Sequence, residues 1–152
     1  MRHTTIVGIF TVMLTLLPGL VFAEHVIDDS KNPGYLFVIS GTSGSLDGDT
    51  LTLNGVPNVI YFSDRPNRNA GHMSVSKFLE MWDKGSDSFK ADPPNATLSM
   101  LKNEGIVVVE LISVEQKSGS VVFKVAVLEG TIPESFRTTS LFIDFQSNTP
   151  TL

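Results

Sequence analysis

The densest run of chemistry-bearing side chains is Ser63-Asp64-Arg65-Pro66-Asn67-Arg68-Asn69-Ala70-Gly71-His72, with Ser74 two residues on at the predicted start of a helix. Two guanidiniums are fork-shaped donors that match carboxylate or phosphate oxygens, and an imidazole adds a titratable donor. A helix N-terminus carries about half a positive charge and free N–H groups, so it also favours an anion. Arg65, Arg68, His72 and Ser74, with Asp64 beside them, are therefore the candidate ligand-binding residues, and loop 63–74 is a candidate anion site. A competing use of the same residues is structural: Asp64 paired to an arginine, with Pro66 and Gly71 setting turns. A catalytic use would take Asp64 and His72 with Ser63 or Ser74 as nucleophile, which makes a small hydrolase the alternative function. Triad residues meet in space, so closeness along the chain does not support it. Gly41-Thr42-Ser43-Gly44-Ser45 fails the G-x-S-x-G elbow at its fifth position. No catalytic residue is assigned.

Other chemistries fall away by residue type. The chain has no cysteine, which excludes disulfides, thiol catalysis, zinc–cysteine sites, iron–sulfur clusters and a lipoprotein anchor. Of its three histidines, His3 and His25 lie near the start, so several imidazoles cannot meet in the folded part. Asp47-Gly48-Asp49 has the oxygen ligands calcium takes, but Asp-Gly is also what a tight turn prefers. Asp83, Asp87 and Asp92 fall on a helix end and a polar loop, where solvated carboxylates outnumber glycosidase pairs. Trp82 lies on an apolar helical stripe and belongs to a core before it belongs to a sugar platform. Asn95-Ala96-Thr97 is a glycosylation sequon only on a eukaryotic secretory route. No metal site and no cofactor is expected.

The elements that must position the loop are mostly strands. Residues 1–23 have the pattern of an export signal: Met1-Arg2-His3, an apolar run Ile6–Leu17, and Val21-Phe22-Ala23 before Glu24. Residues 24–33 read as a flexible lead-in, 34–146 as one β-rich domain, and 147–152 as a frayed end. Tyr35–Ile39, Thr50–Leu53 and Val59–Phe62 are strand-like, with Gly41–Ser45, Asp47–Asp49 and Asn54-Gly55 as turns, which together suggest a meander. Val75, Phe78, Leu79 and Trp82 form one stripe of a helix over about 74–84, with Ser74 as N-cap, a Glu80–Lys84 pair and Gly85 as its close. Asp92-Pro93-Pro94-Asn95 is a hard stop, and Ala96–Leu101 is ambiguous between strand and helical turn. Ile106–Ile112 and Val121–Leu128 form a hairpin about a tip at 115–120, and Ser140–Phe145 completes the strands. Strands following strands point to a mainly β fold, an antiparallel sandwich or open barrel with one amphipathic helix.

Tyr61-Phe62-Ser63-Asp64-Arg65-Pro66-Asn67-Arg68, Ala70-Gly71-His72, Phe78-Leu79, Trp82, Asp87-Ser88-Phe89 and Asp92-Pro93-Pro94-Asn95-Ala96 carry a resemblance. The chain resembles a family of small exported bacterial proteins of uncharacterised activity. The likeness runs from about Tyr35 to Asp144 and implies a shared fold and export, with no activity to transfer.

The 152-residue chain has a formal charge of −5 and a 41% apolar composition. That balance is too apolar for disorder and too acidic for a nucleic-acid binder. Aromatic girdles for an outer-membrane barrel are missing. The expected protein is a monomeric, exported domain, periplasmic or extracellular, with no stable membrane insertion after cleavage. Its expected function is non-enzymatic binding, to an anionic small molecule or an envelope component; a structural envelope role is a further alternative.

Overall fold

A computed structural model describes residues 34–65, 67–84, 88–101 and 105–145. The expected export signal, lead-in, Gly85 helix close and frayed C-terminus lie outside these residues. Ten strands and one helix follow the chain: β1 (Tyr35–Gly41), β2 (Ser43–Asp47), β3 (Thr50–Asn54), β4 (Val59–Ser63), β5 (Ala70–Met73), α1 (Val75–Trp82), β6 (Asn95–Met100), β7 (Gly105–Lys117), β8 (Ser120–Glu129), β9 (Ser135–Phe136) and β10 (Thr139–Phe145). They form one antiparallel sheet in the order β5-β4-β1-β10-β6-β7-β8-β3-β2-β9. The fold is the mainly β, open, one-helix architecture expected from sequence.

Alternation assigns the faces. Phe37, Ile39, Leu98, Val109, Phe123, Leu51, Leu141 and Ile143 point to one side and are buried there. The sheet bends so that this side encloses a single core. Two devices make the bend. β1 breaks only at Thr42 and runs on into β2, so one strand path serves both halves, and β7 changes register against β8 between Leu111 and Ser113.

Helix α1 caps the concave side. Ser74 accepts a hydrogen bond from the Lys77 N–H at 3.1 Å, and Val75, Phe78 and Trp82 are buried. Phe78 meets Phe37 at 5.4 Å between ring centroids, and Trp82 stacks on Phe89 at 4.8 Å. Phe89 in turn meets Phe145 at 4.3 Å, so the helix, the loop after it and the last strand share one aromatic cluster. The expected Glu80–Lys84 pair is present at 3.8 Å and fully solvated in character, so it contributes little.

Several local expectations are corrected. Ser43–Ser45 are strand, not turn: Gly44 lies under the Phe136 ring, which leaves no room for a Cβ, so packing rather than turn conformation requires the glycine. Asn54-Gly55 does not close a hairpin, because β3 pairs with β2 and β8 while β4 pairs with β1 and β5. The first half is thus no meander. The polar connection after Ser63 contains β5, and the 115–120 tip shrinks to Ser118-Gly119. Both turn residues have positive φ, 50° and 82°, the geometry that matches the twist of two flanking strands. Ala96 to Met100 is strand, and β9 adds a short pairing that sequence did not suggest.

Candidate functional site

The expected site residues lie on the β4–β5 hairpin and its exit into α1. Its turn closes on its own backbone. The Ser63 N–H donates to the Asn69 carbonyl at 2.8 Å, and the Asn69 N–H donates to Ser63 Oγ at 2.8 Å. The Arg68 N–H donates to the Asp64 carbonyl at 3.2 Å, with Arg68 itself at φ 49°. The Asp64 N–H donates to the Gly34 carbonyl at 3.0 Å, which ties the turn to the start of β1. Gly71 lets the hairpin close: a Cβ there would stand 2.7 Å from the Tyr61 hydroxyl.

These contacts leave the charged side chains outside. Asp64, Arg65, Arg68, His72 and Ser74 are all exposed. The ion pairs among the described residues are Lys77–Glu80, Lys84–Glu80, Lys90–Asp83, Lys117–Glu115 and Lys124–Asp49. None involves Asp64, Arg65 or Arg68, so the turn is built without its side-chain charges. The structure brings Asp64, Arg65 and Arg68 together on this turn. It sets Ser74 at the other end of β5, about 13 Å away at a strand's rise, with His72 between. The helix start and the two arginines are therefore separate features, and Ser74 serves α1 as its cap. His72 stands opposite Ile60, four residues before Asp64, which also separates Asp64 from His72 by about 13 Å. That span exceeds the reach of an acid–base hydrogen bond. Among the described residues no group of three His, Cys, Asp or Glu side chains could hold a metal ion.

The larger feature lies beside the hairpin. The outward side chains of β4, β1 and β10 include Ile60, Phe62, Leu36, Val38 and Phe142, in register with one another. Ile60, Phe62 and Phe142 are 39%, 42% and 36% exposed, and Ile106 on β7 is 68% exposed. Apolar groups clustered in this way on one outward face differ from the scattered single ones that a protein surface ordinarily carries. Its signal was in the sequence. An antiparallel strand with one wet face alternates, whereas Tyr35–Ile39, Val59–Phe62 and Leu141–Ile143 are unbroken apolar runs.

No protein-family model, no curated protein and no solved structure matches the chain.

Proposed function

We propose that this is an exported, non-enzymatic binding module that holds an anionic group of a small molecule or envelope component through Arg65 and Arg68. The observation that carries the reading is the state of the two guanidiniums. They stand exposed on a turn fixed by backbone bonds, and neither belongs to an ion pair among the described residues. A turn that needs the arginines for its own closure would use them, and this one does not. A backbone already fixed leaves only the side chains to be ordered on binding, and the guanidinium fork suits carboxylate or phosphate oxygens. Export is motivated by the charge, apolar run and small-residue pattern of Met1–Ala23.

The test is calorimetric titration of the purified protein with phosphate, pyrophosphate and a short polyglutamate. Binding of one of them that weakens with added salt, and that Arg65→Ala/Arg68→Ala abolishes without lowering the melting temperature, supports the reading. A double variant that unfolds makes the arginines structural ties and overturns it. Absence of binding to all three probes does the same.

A further inference from the structure

β5 stands at one end of the strand order, and its backbone is only half used. The Ser63 N–H donates to the Asn69 carbonyl, and the register then sets Phe62 opposite Ala70, Tyr61 opposite Gly71 and Ile60 opposite His72. Bonded positions alternate along an antiparallel pair, so Asn69, Gly71 and Met73 turn their N–H and C=O groups to β4. Ala70 and His72 turn theirs off the edge of the sheet. The next strand gives the same parity: the Asp64 N–H donates to the Gly34 carbonyl, which places Phe62 and Ile60 on the β1 side. Ala70 and His72 are both exposed, and among the described residues the backbone of neither is bonded elsewhere. Helix α1 turns from β5 into the core, where Phe78 meets Phe37, and leaves this edge uncovered.

Proteins ordinarily blunt a sheet edge by keeping it short or by placing charge, proline or a bulge on it. At the other end of the order β9 has only two residues. The stretch of β7 beyond Leu111, which β6 does not reach, carries Glu115 and Lys117. β5 has none of these devices in Ala70-Gly71-His72-Met73, and it follows directly on the turn that holds Arg65 and Arg68. Because β5 runs away from that turn, a strand added antiparallel to it runs toward the turn. The last residue of such a strand arrives at the arginines. We propose that this chain captures the C-terminal end of an extended peptide, added antiparallel to β5, with its main chain on Ala70 and His72 and its terminal carboxylate on Arg65 and Arg68. The proposal rests on the anion-binding reading for the arginines and adds the class of partner.

Length and charge favour a chain end. Arg68 has positive φ and gives its N–H back to Asp64, so the edge stops where the arginines begin. A peptide that terminates there matches the edge, and its planar carboxylate suits a guanidinium fork. Two guanidiniums on the turn outnumber the one carboxylate beside them, Asp64. Asp144 lies in the row Asp144, Leu36, Phe62 and Ala70, three strands from the edge. At strand spacing that is about 14 Å, beyond the screening length at physiological salt. Two residues that each offer one donor and one acceptor, with one carboxylate contact, make a weak and reversible complex.

Amide-resolved titration of the protein to roughly 1 mM with an N-acetylated hexapeptide of alternating threonine and valine tests the proposal. The free acid should bind, and the amides of Ala70 and His72 should shift. The C-terminally amidated peptide should bind about tenfold or more weakly, the scale of a charge-assisted hydrogen bond. Methylating successive backbone nitrogens of the peptide should weaken binding at every second position and leave the positions between nearly unaffected. Ala70→Pro removes an N–H that points off the edge and spares the β4 ladder. It should weaken the peptide about tenfold and leave pyrophosphate binding unchanged. Where Ala70→Pro fails to fold, the methylated peptides decide the matter on the wild-type protein. Equal binding of acid and amide, methylation effects without alternation, or peptide binding indifferent to Ala70→Pro would each overturn the proposal. A protein that binds pyrophosphate through the arginines and does not bind the peptide overturns strand addition and leaves the arginine site standing.

Discussion

The two halves of the sheet bury their inner faces alike and differ in what they show to water. In the β3–β2–β8 half the outward residues are Ser43, Ser45, Asp47, Thr50, Thr52, Asn54, Ser120, Val122 and Lys124. They bind one another. Asn54 Nδ2 donates to Ser43 Oγ at 3.3 Å, Ser120 donates to Asn54 Oδ1 at 2.7 Å, and Lys124 pairs with Asp49 at 2.7 Å. In the β4–β1–β10 half the same positions hold Ile60, Phe62, Leu36, Val38 and Phe142, with Ser40, Ser140 and Asp144 at the margins. Threonine forms strands as readily as isoleucine, so strand formation alone does not call for that difference. A hydroxylated face is complete by itself in water. An apolar one has no such bonds to make.

The largest effects should come from the inner face and should not distinguish the halves. Phe37→Ala in the first half and Phe123→Ala in the second should each cost about 3–5 kcal/mol by urea unfolding, as should Trp82→Ala on the helix that spans them. The Trp82 indole N–H is buried with no acceptor among the described residues. Trp82→Phe should therefore be much milder, because it keeps the stack on Phe89 and removes an unpaired donor. A marked difference between Phe37 and Phe123 would mean that the core is not shared.

The outer faces should then separate. Asn54→Ala should cost about 1–2 kcal/mol, since it strands the Ser43 and Ser120 hydroxyls and removes two bonds. Ile60→Thr with Phe62→Thr should change stability by less than about 1 kcal/mol, the scale of exposed cross-strand pairs. If the apolar double variant is the more damaging to folding, those side chains exist for the sheet and not for a partner.

Much of this architecture was legible, and the failures share a cause. Strand runs, the Ser74 cap and the Val75–Trp82 stripe are local signals, and local rules found them. Pairing partners are not local. Asn54-Gly55 has turn chemistry wherever it sits, but only the completed sheet sends β4 to β1 instead of back to β3. β5 was hidden because Ala70-Gly71-His72-Met73 is not a β-rich run; it is a strand because β4 offers it an edge and Gly71 fits beneath Tyr61. The candidate site shows the same division. The arginines were visible as chemistry, whereas their separation from the helix start depends on that unforeseen strand.

The smallest expected effect is electrostatic. The hydrogen bond from Lys124 holds the Asp49 carboxyl below its ordinary value of 3.8. A carboxyl lowered in the folded state stabilises fully above its unfolded value, and that contribution is lost as pH falls through the folded one. Asp49→Asn should therefore lower the melting temperature slightly at neutral pH and leave the acid limit nearly unchanged, which flattens the acid side of the profile. The pair is solvated, so added salt should shrink even this difference. A loss at neutral pH as large as that from Asn54→Ala would mean that the polar half depends on this pair and is not a network of small, independent ties.

The account turns on whether the outward apolar side chains of β4, β1 and β10 serve the sheet itself. Urea unfolding of Ile60→Thr/Phe62→Thr beside Asn54→Ala measures that directly. The apolar double variant should lose less than about 1 kcal/mol, and Asn54→Ala about 1–2 kcal/mol. A larger loss from the apolar double variant would contradict the account.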